Sequence, residues 1–257
     1  MNFGIVLAGL VGGFTVGMTG MGGGALLTPV LILVFHVDAL AAVGSDLVVS
    51  LVMKPVGGAV HLRRGTVNGP LVKLLTIGSV PAAFGGVLLL RALGGNDVSD
   101  LLKPLLGAVI LLAAASMVLK PWLGRRREGM EAGEGELVVR PAVTIAVGAI
   151  GGLLVGLTSV GSGSLIIVML MVAYPNLKAR ELVGTDLVQA IPLVASAAIG
   201  HLLLGDVRLG LTASLLAGGI PGVYLGARVS AQAPERLIRP TLFVILVTTG
   251  LKLVRVF

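Results

Sequence analysis

Eight long apolar stretches, separated by short polar turns, restrict the fold of this chain more than any other feature of its sequence. Each is close to or above the roughly 20 residues that a helix needs to cross the hydrocarbon core of a bilayer. Only 12% of the residues are charged, too few to cover a soluble domain. The sequence therefore predicts an all-α, polytopic membrane protein. The stretches are residues 4–35, 40–62, 70–90, 101–119, 141–174, 182–204, 209–227 and 237–254.

The first and fifth stretches are too long for a single crossing. Each has more than 30 residues, which is about 46 Å or more as one helix at 1.5 Å per residue. Glycine and hydroxyl residues cluster inside them, at 19–24 and 158–164. Because glycine costs a helix about 1 kcal/mol relative to alanine, the clusters predict interruptions. Interrupted backbone at membrane depth is tolerated inside protein or beside water, so we expect discontinuous, re-entrant helices.

The two halves of the chain repeat one pattern, with an offset of 139 and then 140 residues. We predict an N-terminal transmembrane repeat at 1–122, a cytoplasmic hydrophilic linker at 123–140 and a C-terminal transmembrane repeat at 141–257. Each repeat contains four apolar segments. The matching pairs are 12–19 with 151–158, 44–48 with 184–188, His61 with His201, and 78–86 with 218–226.

Loop charge distinguishes parallel from inverted repeats, because Lys and Arg collect on the cytoplasmic side. If segments one and five re-enter, each repeat crosses three times and the repeats are inverted. With the central linker in the cytoplasm, this arrangement places 13 basic loop residues inside and 5 outside, whereas parallel repeats place 11 inside and 7 outside. The charges favour inverted repeats, which in transporters build a midplane site from discontinuous helices.

The glycine breaks are the first candidates for a substrate site. A helix that restarts after a break directs unpaired N–H groups and about half a positive charge into the interior, which suits an anion. Hydroxyl groups add donors, and glycine lets a ligand approach the backbone. The alternative is that the glycines only permit close helix packing. The predicted binding residues in the breaks are Thr19, Gly22, Gly23, Gly24, Thr158, Ser159, Gly161, Ser162, Gly163 and Ser164.

Lys54 lies in the middle of segment two, with apolar neighbours on both sides. A charge at the bilayer centre costs about 2.5–3.5 kcal/mol on insertion scales, so it usually has a partner or a function. Three uses are open: Lys54 contacts an anionic substrate, pairs with Asp46 or Asp186, or reaches the interface without a function. Gln189, one turn after Asp186, is a further substrate-binding candidate.

Four titratable residues are candidates for proton or ion coupling, namely Asp46, Asp186, His61 and His201. Such groups inside membrane proteins often carry protons or cations. The aspartates have a simpler alternative role, capping the N-terminal turns of their helices. The simpler alternative for the histidines is that they are buried hydrogen-bonding groups.

Residue types argue against several other functions. The chain has no cysteine and three histidines, so we expect neither a metal nor a cofactor. No serine has the flanking glycines of an intramembrane serine protease, and the glutamates lie in or beside loops, unlike those of a membrane diphosphatase. The net charge of +7 is spread over short loops, which does not indicate nucleic-acid binding. We predict a transporter and not an enzyme, with an uncoupled anion channel as the alternative and an intramembrane enzyme as a weaker one.

The order of these motifs, present twice, resembles the TauE/SafE family of membrane transporters, also called the sulfite exporter or toluene-sulfonate uptake family. The resemblance covers nearly the whole chain. Asp46 and Asp186 depart from the commoner Gly-Thr-Ser pattern and resemble a branch that also has a lysine at the position of Lys54.

The resemblance implies transport of small organic or inorganic anions, with sulfite, thiosulfate and sulfonates as the expected kind. The location it implies is the multi-pass inner membrane of a prokaryote. We expect alternating access between the two repeats, with proton coupling left open. The expected partners are the anion, the lipid bilayer and protons, and a homodimer is left open.

Overall fold

The computed structural model describes residues 3–19, 24–94, 98–128, 138–230 and 235–255, and within these ranges the regular structure is ten helices and no strand. Five helices come from each half, so α1–α5 correspond in order to α6–α10. The helices are α1 (Phe3–Thr19), α2 (Gly24–Leu33), α3 (Ala39–Arg63), α4 (Gly69–Gly94), α5 (Val98–Glu128), α6 (Pro141–Thr158), α7 (Leu165–Ala173), α8 (Ala179–Leu203), α9 (Leu209–Ser230) and α10 (Glu235–Arg255).

Six of these helices are long and apolar enough to cross a bilayer, namely α3, α4, α5, α6, α8 and α9. Large apolar side chains remain exposed along the bundle, including Phe3, Val118 and Leu203, as lipid contact requires. The prediction of an all-helical, polytopic membrane protein is confirmed.

Each overlong segment contains two helices, and in the second segment the interruption coincides with the glycine cluster at 158–164. The first is divided into α1 and α2, and the second into α6 and α7. Another boundary differs from the prediction, because α5 continues to Glu128, six residues into the proposed 123–140 linker. Leucine, arginine and glutamate in this extension are good helix formers, so the helix does not end where the apolar stretch ends. Residues 129–137 of the linker lie outside the described residues.

Glycines bring helices of opposite halves into backbone contact. On α1, a Cβ at Gly13 would clash with the backbone of Gly219 on α9. On α6, a Cβ at Gly152 would clash with the backbone of Ser79 on α4. Since α1 corresponds to α6 and α9 to α4, the two contacts are copies of each other. Small residues allow this separation in membrane bundles.

The glycine contacts also give helix directions. Gly218 contacts Val6 and Gly226 contacts Phe14, so α1 and α9 run in the same direction. The pair formed by α4 and α6 is parallel too, because Gly148 contacts Leu75 and residue 156 contacts residue 83.

The corresponding helices α3 and α8 run in opposite directions. Gly44, near the start of α3, packs against His201 near the end of α8, and Gly184, near the start of α8, packs against His61 near the end of α3. In α5 and α10 the pairing of residue 107 with 254 and of residue 250 with 111 is also antiparallel.

Substitution of Gly78 tests the close packing of α4 on α6. An alanine Cβ there would lie 2.9 Å from the Ala149 nitrogen and closer to the Ile145 carbonyl. We expect Gly78→Ala to lower the melting temperature in detergent, with about 1–3 kcal/mol of destabilisation.

Gly85→Ala, in the same helix, is the matched control. Its Cβ would meet no atom within 4 Å, so the gain in helix propensity of about 1 kcal/mol applies without a clash. Equal melting temperatures for the two variants would contradict the packing described here.

Candidate functional site at the helix breaks

The break between α6 and α7 is a buried turn built on left-handed backbone. Ser159 caps the C-terminus of α6 at φ 60°, and its N–H bonds to the carbonyl of Val155. Gly161 and Gly163 follow at φ 133° and 85°, values that side chains with a Cβ rarely adopt. The chain re-enters helical geometry at Leu165. The glycines are therefore required for the turn itself.

The start of α7 differs from the expectation of unpaired N–H groups. The carbonyl of Gly161 accepts hydrogen bonds from the N–H groups of Ser164 at 3.4 Å, Leu165 at 3.0 Å and Ile166 at 3.3 Å. A carbonyl that turns back onto the helix start satisfies these donors. The side chains of the break are therefore its main polar groups.

The start of α2 meets the α6–α7 break in the interior. Gly24, the first residue of α2, packs directly on Ser159. A Cβ added at Gly24 would lie 2.8 Å from the Ser159 Oγ. Thr19 ends α1 on the other side of the first break. Gly22 and Gly23, also predicted to bind substrate, lie outside the described residues.

Lys54 is the cation at this junction. Its side chain is 5% exposed, and its Nζ donates a hydrogen bond to the Ser162 Oγ in the α6–α7 break. It also interacts electrostatically with Asp186 and, less strongly, with Asp46. This burial rules out a lysine that extends to the membrane interface.

Asp46 holds the other end of the same break. The Ser159 Oγ donates to the Asp46 Oδ2 at 2.5 Å, and the Thr28 hydroxyl of α2 lies close to this carboxylate without regular hydrogen-bond geometry. The capping alternative for the aspartates is wrong: Asp46 and Asp186 are each the eighth residue of their helix, two turns beyond the caps, and both are buried.

Asp186 and Gln189 form a second polar link. The Gln189 Nε2 donates to the Asp186 Oδ1 at 3.2 Å. Across the helix pair, the Ser79 Oγ of α4 donates to the Gln189 Oε1 at 3.3 Å. The amide therefore fixes the orientation of the carboxylate and joins α8 to α4.

The remaining hydroxyl candidates serve the turn. The Thr158 Oγ1 donates to the Leu154 carbonyl at 2.7 Å and accepts from the Val160 N–H at 3.2 Å. Ser164 occupies the N-cap of α7 and is buried, without a side-chain capping bond.

The two histidines lie at opposite ends of the antiparallel pair α3 and α8. His201 is fully buried; its Nδ1 lies 3.0 Å from the Asp206 Oδ2 and its Nε2 lies 3.2 Å from the Gly156 carbonyl. Asp206 also pairs with Arg91 of α4. The His61 Nδ1 lies 2.8 Å from the Thr66 Oγ1.

Sequence reasoning missed Thr28 and Ser79. Both are fully buried, and Thr28 is the one hydroxyl residue of α2. The spacing of Thr28, one turn after Gly24, could have placed it beside the break. Ser79 lies in the repeated segment 78–86, whose second copy has glycine at that position.

Known proteins resemble this chain along almost its whole length. The sequence model of the family described as sulfite exporter TauE/SafE matches residues 5–253. The probable membrane transporter protein YjnA of Bacillus subtilis strain 168 is 40% identical, over 99% of this chain and 100% of its own. The probable membrane transporter protein YdhB of the same organism is 26% identical, over 97% and 98%. No solved structure matches the chain.

Substitution of Gly161 tests the backbone of the break. A Cβ there would meet only ordinary contacts, the nearest being 3.4 Å from the Val155 Cγ2, but φ is 133°. We expect Gly161→Ala to cost about 1–3 kcal/mol through backbone strain alone, seen as a lower melting temperature in detergent. Gly210→Ala, in open space with ordinary φ, is the control, and an equal effect of both would argue against a left-handed turn.

Proposed function

The chain belongs to the sulfite exporter TauE/SafE family of membrane transporters, and we propose that it is a secondary transporter of small anions, sulfur-containing oxyanions above all. The observation that carries the proposal is the hydrogen bond from Lys54 to Ser162. It places the buried ammonium at the serine hydroxyl of the break.

The anion would take the place of Ser162 at the Lys54 Nζ. Sulfite, thiosulfate and sulfonates present several oxygen acceptors, which suit a lysine ammonium acting as a point charge. Such an anion would accept from both Lys54 and the Ser162 hydroxyl. Hydrogen bonds to charged groups are worth about 1.5–3 kcal/mol. A bond from Lys54 to an anion is therefore favoured over its bond to the neutral Ser162 hydroxyl.

Helix directions support re-entrant first and fifth segments. Gly44 packs on Val207 just before α9, and Met53 packs on Gly219 within α9, so α3 runs with α9. Because α1 also runs with α9, α1 and α3 are parallel, and α2 between them returns to the side where α1 began. In the second half α6 and α8 both run with α4. Thr185 of α8 accepts from the N–H of Asn68 just before α4, and Ser196, further along α8, donates to the carbonyl of Val80 within α4.

Directions also support inverted repeats. Corresponding helices that pack together, α3 with α8 and α5 with α10, are antiparallel. A two-fold axis that reverses a membrane-crossing helix lies in the membrane plane, as in many transporters with a midplane site. In this arrangement Lys54 belongs to one repeat and Ser162 to the other, so rocking of the repeats would alternate access to the anion.

The buried carboxylates Asp46 and Asp186 would couple this movement to a proton or another cation. An uncoupled anion channel differs from this proposal in showing no saturation with substrate and no dependence on a coupling ion.

Replacement of Lys54 tests the proposal directly. Wild type and Lys54→Ala are reconstituted in liposomes, and uptake of sulfite, thiosulfate, sulfonates and carboxylates is measured with and without an imposed pH gradient. We expect uptake of at least one sulfur oxyanion by wild type, and a loss of about tenfold or more in the variant, as removal of a charged hydrogen bond implies.

Lys73→Ala, which removes an exposed lysine of α4, is the matched control and should transport normally. Full uptake by Lys54→Ala, or no uptake of any of these anions by wild type, would contradict the proposed function.

Cysteine labelling tests the topology, because the chain has no native cysteine. If segment five re-enters, Val138→Cys before α6 and Asn176→Cys after α7 react with a membrane-impermeant reagent from the same side. Arg208→Cys, between α8 and α9, reacts from the other side. Labelling of positions 138 and 176 from opposite sides would show a segment that crosses.

A further inference from the structure

Two buried oxygen atoms beside the breaks have no hydrogen-bond partner. The Thr28 Oγ1 and the Asp46 Oδ1 are fully enclosed, and neither makes a hydrogen bond of regular geometry. Both residues are 0% exposed, and their side chains are close enough to interact. A buried polar atom left without a partner costs about 1–3 kcal/mol, so a ligand that both oxygens can bind would offset that cost.

We propose that Asp46, Thr28 and Ser159 form a site for a small monovalent metal cation, with Na⁺ as the probe, that is carried with the anion. The site deepens the proposed function and rests on it, since the anion is the ion placed at the neighbouring Lys54. The cation would lie against the Asp46 Oδ1 and the Thr28 Oγ1, opposite the Oδ2 that accepts from Ser159.

The donor set suits such a cation. Carboxylate and hydroxyl oxygens are hard ligands, and here they come from α3 and α2, while Ser159 at the end of α6 holds the other oxygen of the carboxylate. In transporters the unwound backbone and C-terminal ends of broken helices supply further carbonyls to Na⁺, and Ser159 is the C-cap of such a helix.

A divalent cation fits less well. Ca²⁺ takes six to eight oxygen ligands, usually with several carboxylates, while one carboxylate stands here. Within the described ranges no group of three or more Asp, Glu or His side chains is arranged to hold a metal.

Charge balance gives an independent reason for a cation. The groups at the junction are Asp46 and Lys54 from α3 and Asp186 from α8, while α2, α6 and α7 carry no charged side chain. With both carboxylates ionised, the junction is net negative before any anion arrives. Like charges 4 Å apart repel by roughly 4 kcal/mol at an effective dielectric constant of 20, so a cation at Asp46 would favour anion binding at Lys54.

Binding of Na⁺ to the purified protein tests the site without knowledge of the anion. Radioactive ²²Na⁺ is added to detergent-solubilised wild type in choline chloride at fixed pH, and bound counts are measured against competing NaCl, LiCl and KCl. We expect saturable binding, displaced by unlabelled Na⁺.

The variants assign the binding to these oxygens. Thr28→Val, which keeps the shape and removes the hydroxyl, should weaken Na⁺ binding about tenfold or more, and Asp46→Asn should abolish it. Thr28→Ser should retain it. Thr212→Val removes another buried hydroxyl, one bonded to the Arg208 carbonyl, and should bind like wild type. Absence of saturable Na⁺ binding by wild type, or equal binding by Thr28→Val, would overturn the proposal.

Transport assays separate this inference from the proposed function. Anion uptake into liposomes is compared with external Na⁺ or choline at equal pH inside and outside, and we expect uptake to require Na⁺. Uptake that ignores Na⁺, or that follows only a pH gradient, refutes the claim that the cation is carried with the anion and leaves anion transport standing. If no anion is taken up under any gradient while Na⁺ still binds, the proposed function fails and the cation site remains.

Discussion

Interrupted backbone in a hydrocarbon environment is the constraint on which this structure depends. The turn from Ser159 to Leu165 has polar groups that lipid cannot satisfy, so protein must surround it. The close pairing of α4 with α6 supplies that cover: Gly156, three residues before the break, packs on the backbone of Ala83. Glycine therefore acts twice, once to allow the turn and once to bring the enclosing helix close.

The same pairing explains why the repeats do not stand alone. The first helix of each half packs on the fourth helix of the other half, through contacts such as Gly13 with Gly219 and Gly152 with Ser79. The loops also contact helices of the opposite half. The N–H of Asn68 bonds to Thr185 at 3.0 Å, and the N–H of Arg208 bonds to Ser45 at 3.2 Å. Neither repeat completes its packing without the other.

Much of this arrangement could be predicted from the sequence, because it depends on local features. Apolar length gives the segments, and the glycine cluster at 158–164 gives the interruption between α6 and α7. The partners of the polar residues could not be predicted in the same way, since they lie on other helices. Asp46 looked close to a helix start, but α3 begins at Ala39, and its contacts with Ser159 and Thr28 join residues far apart in the chain.

The candidate site lies where the two repeats differ. The positions that build the scaffold are preserved in both copies, as Gly44 with Gly184 and Gly78 with Gly218 illustrate. At the junction, by contrast, Lys54 corresponds to Val194, Thr28 to Ile167, and the serines 159 and 162 to glycines. A symmetric scaffold would offer an ion two equal positions across the axis. These replacements leave one ammonium in the first repeat and the Ser162 hydroxyl that it contacts in the second, so the proposed anion would contact both repeats at once.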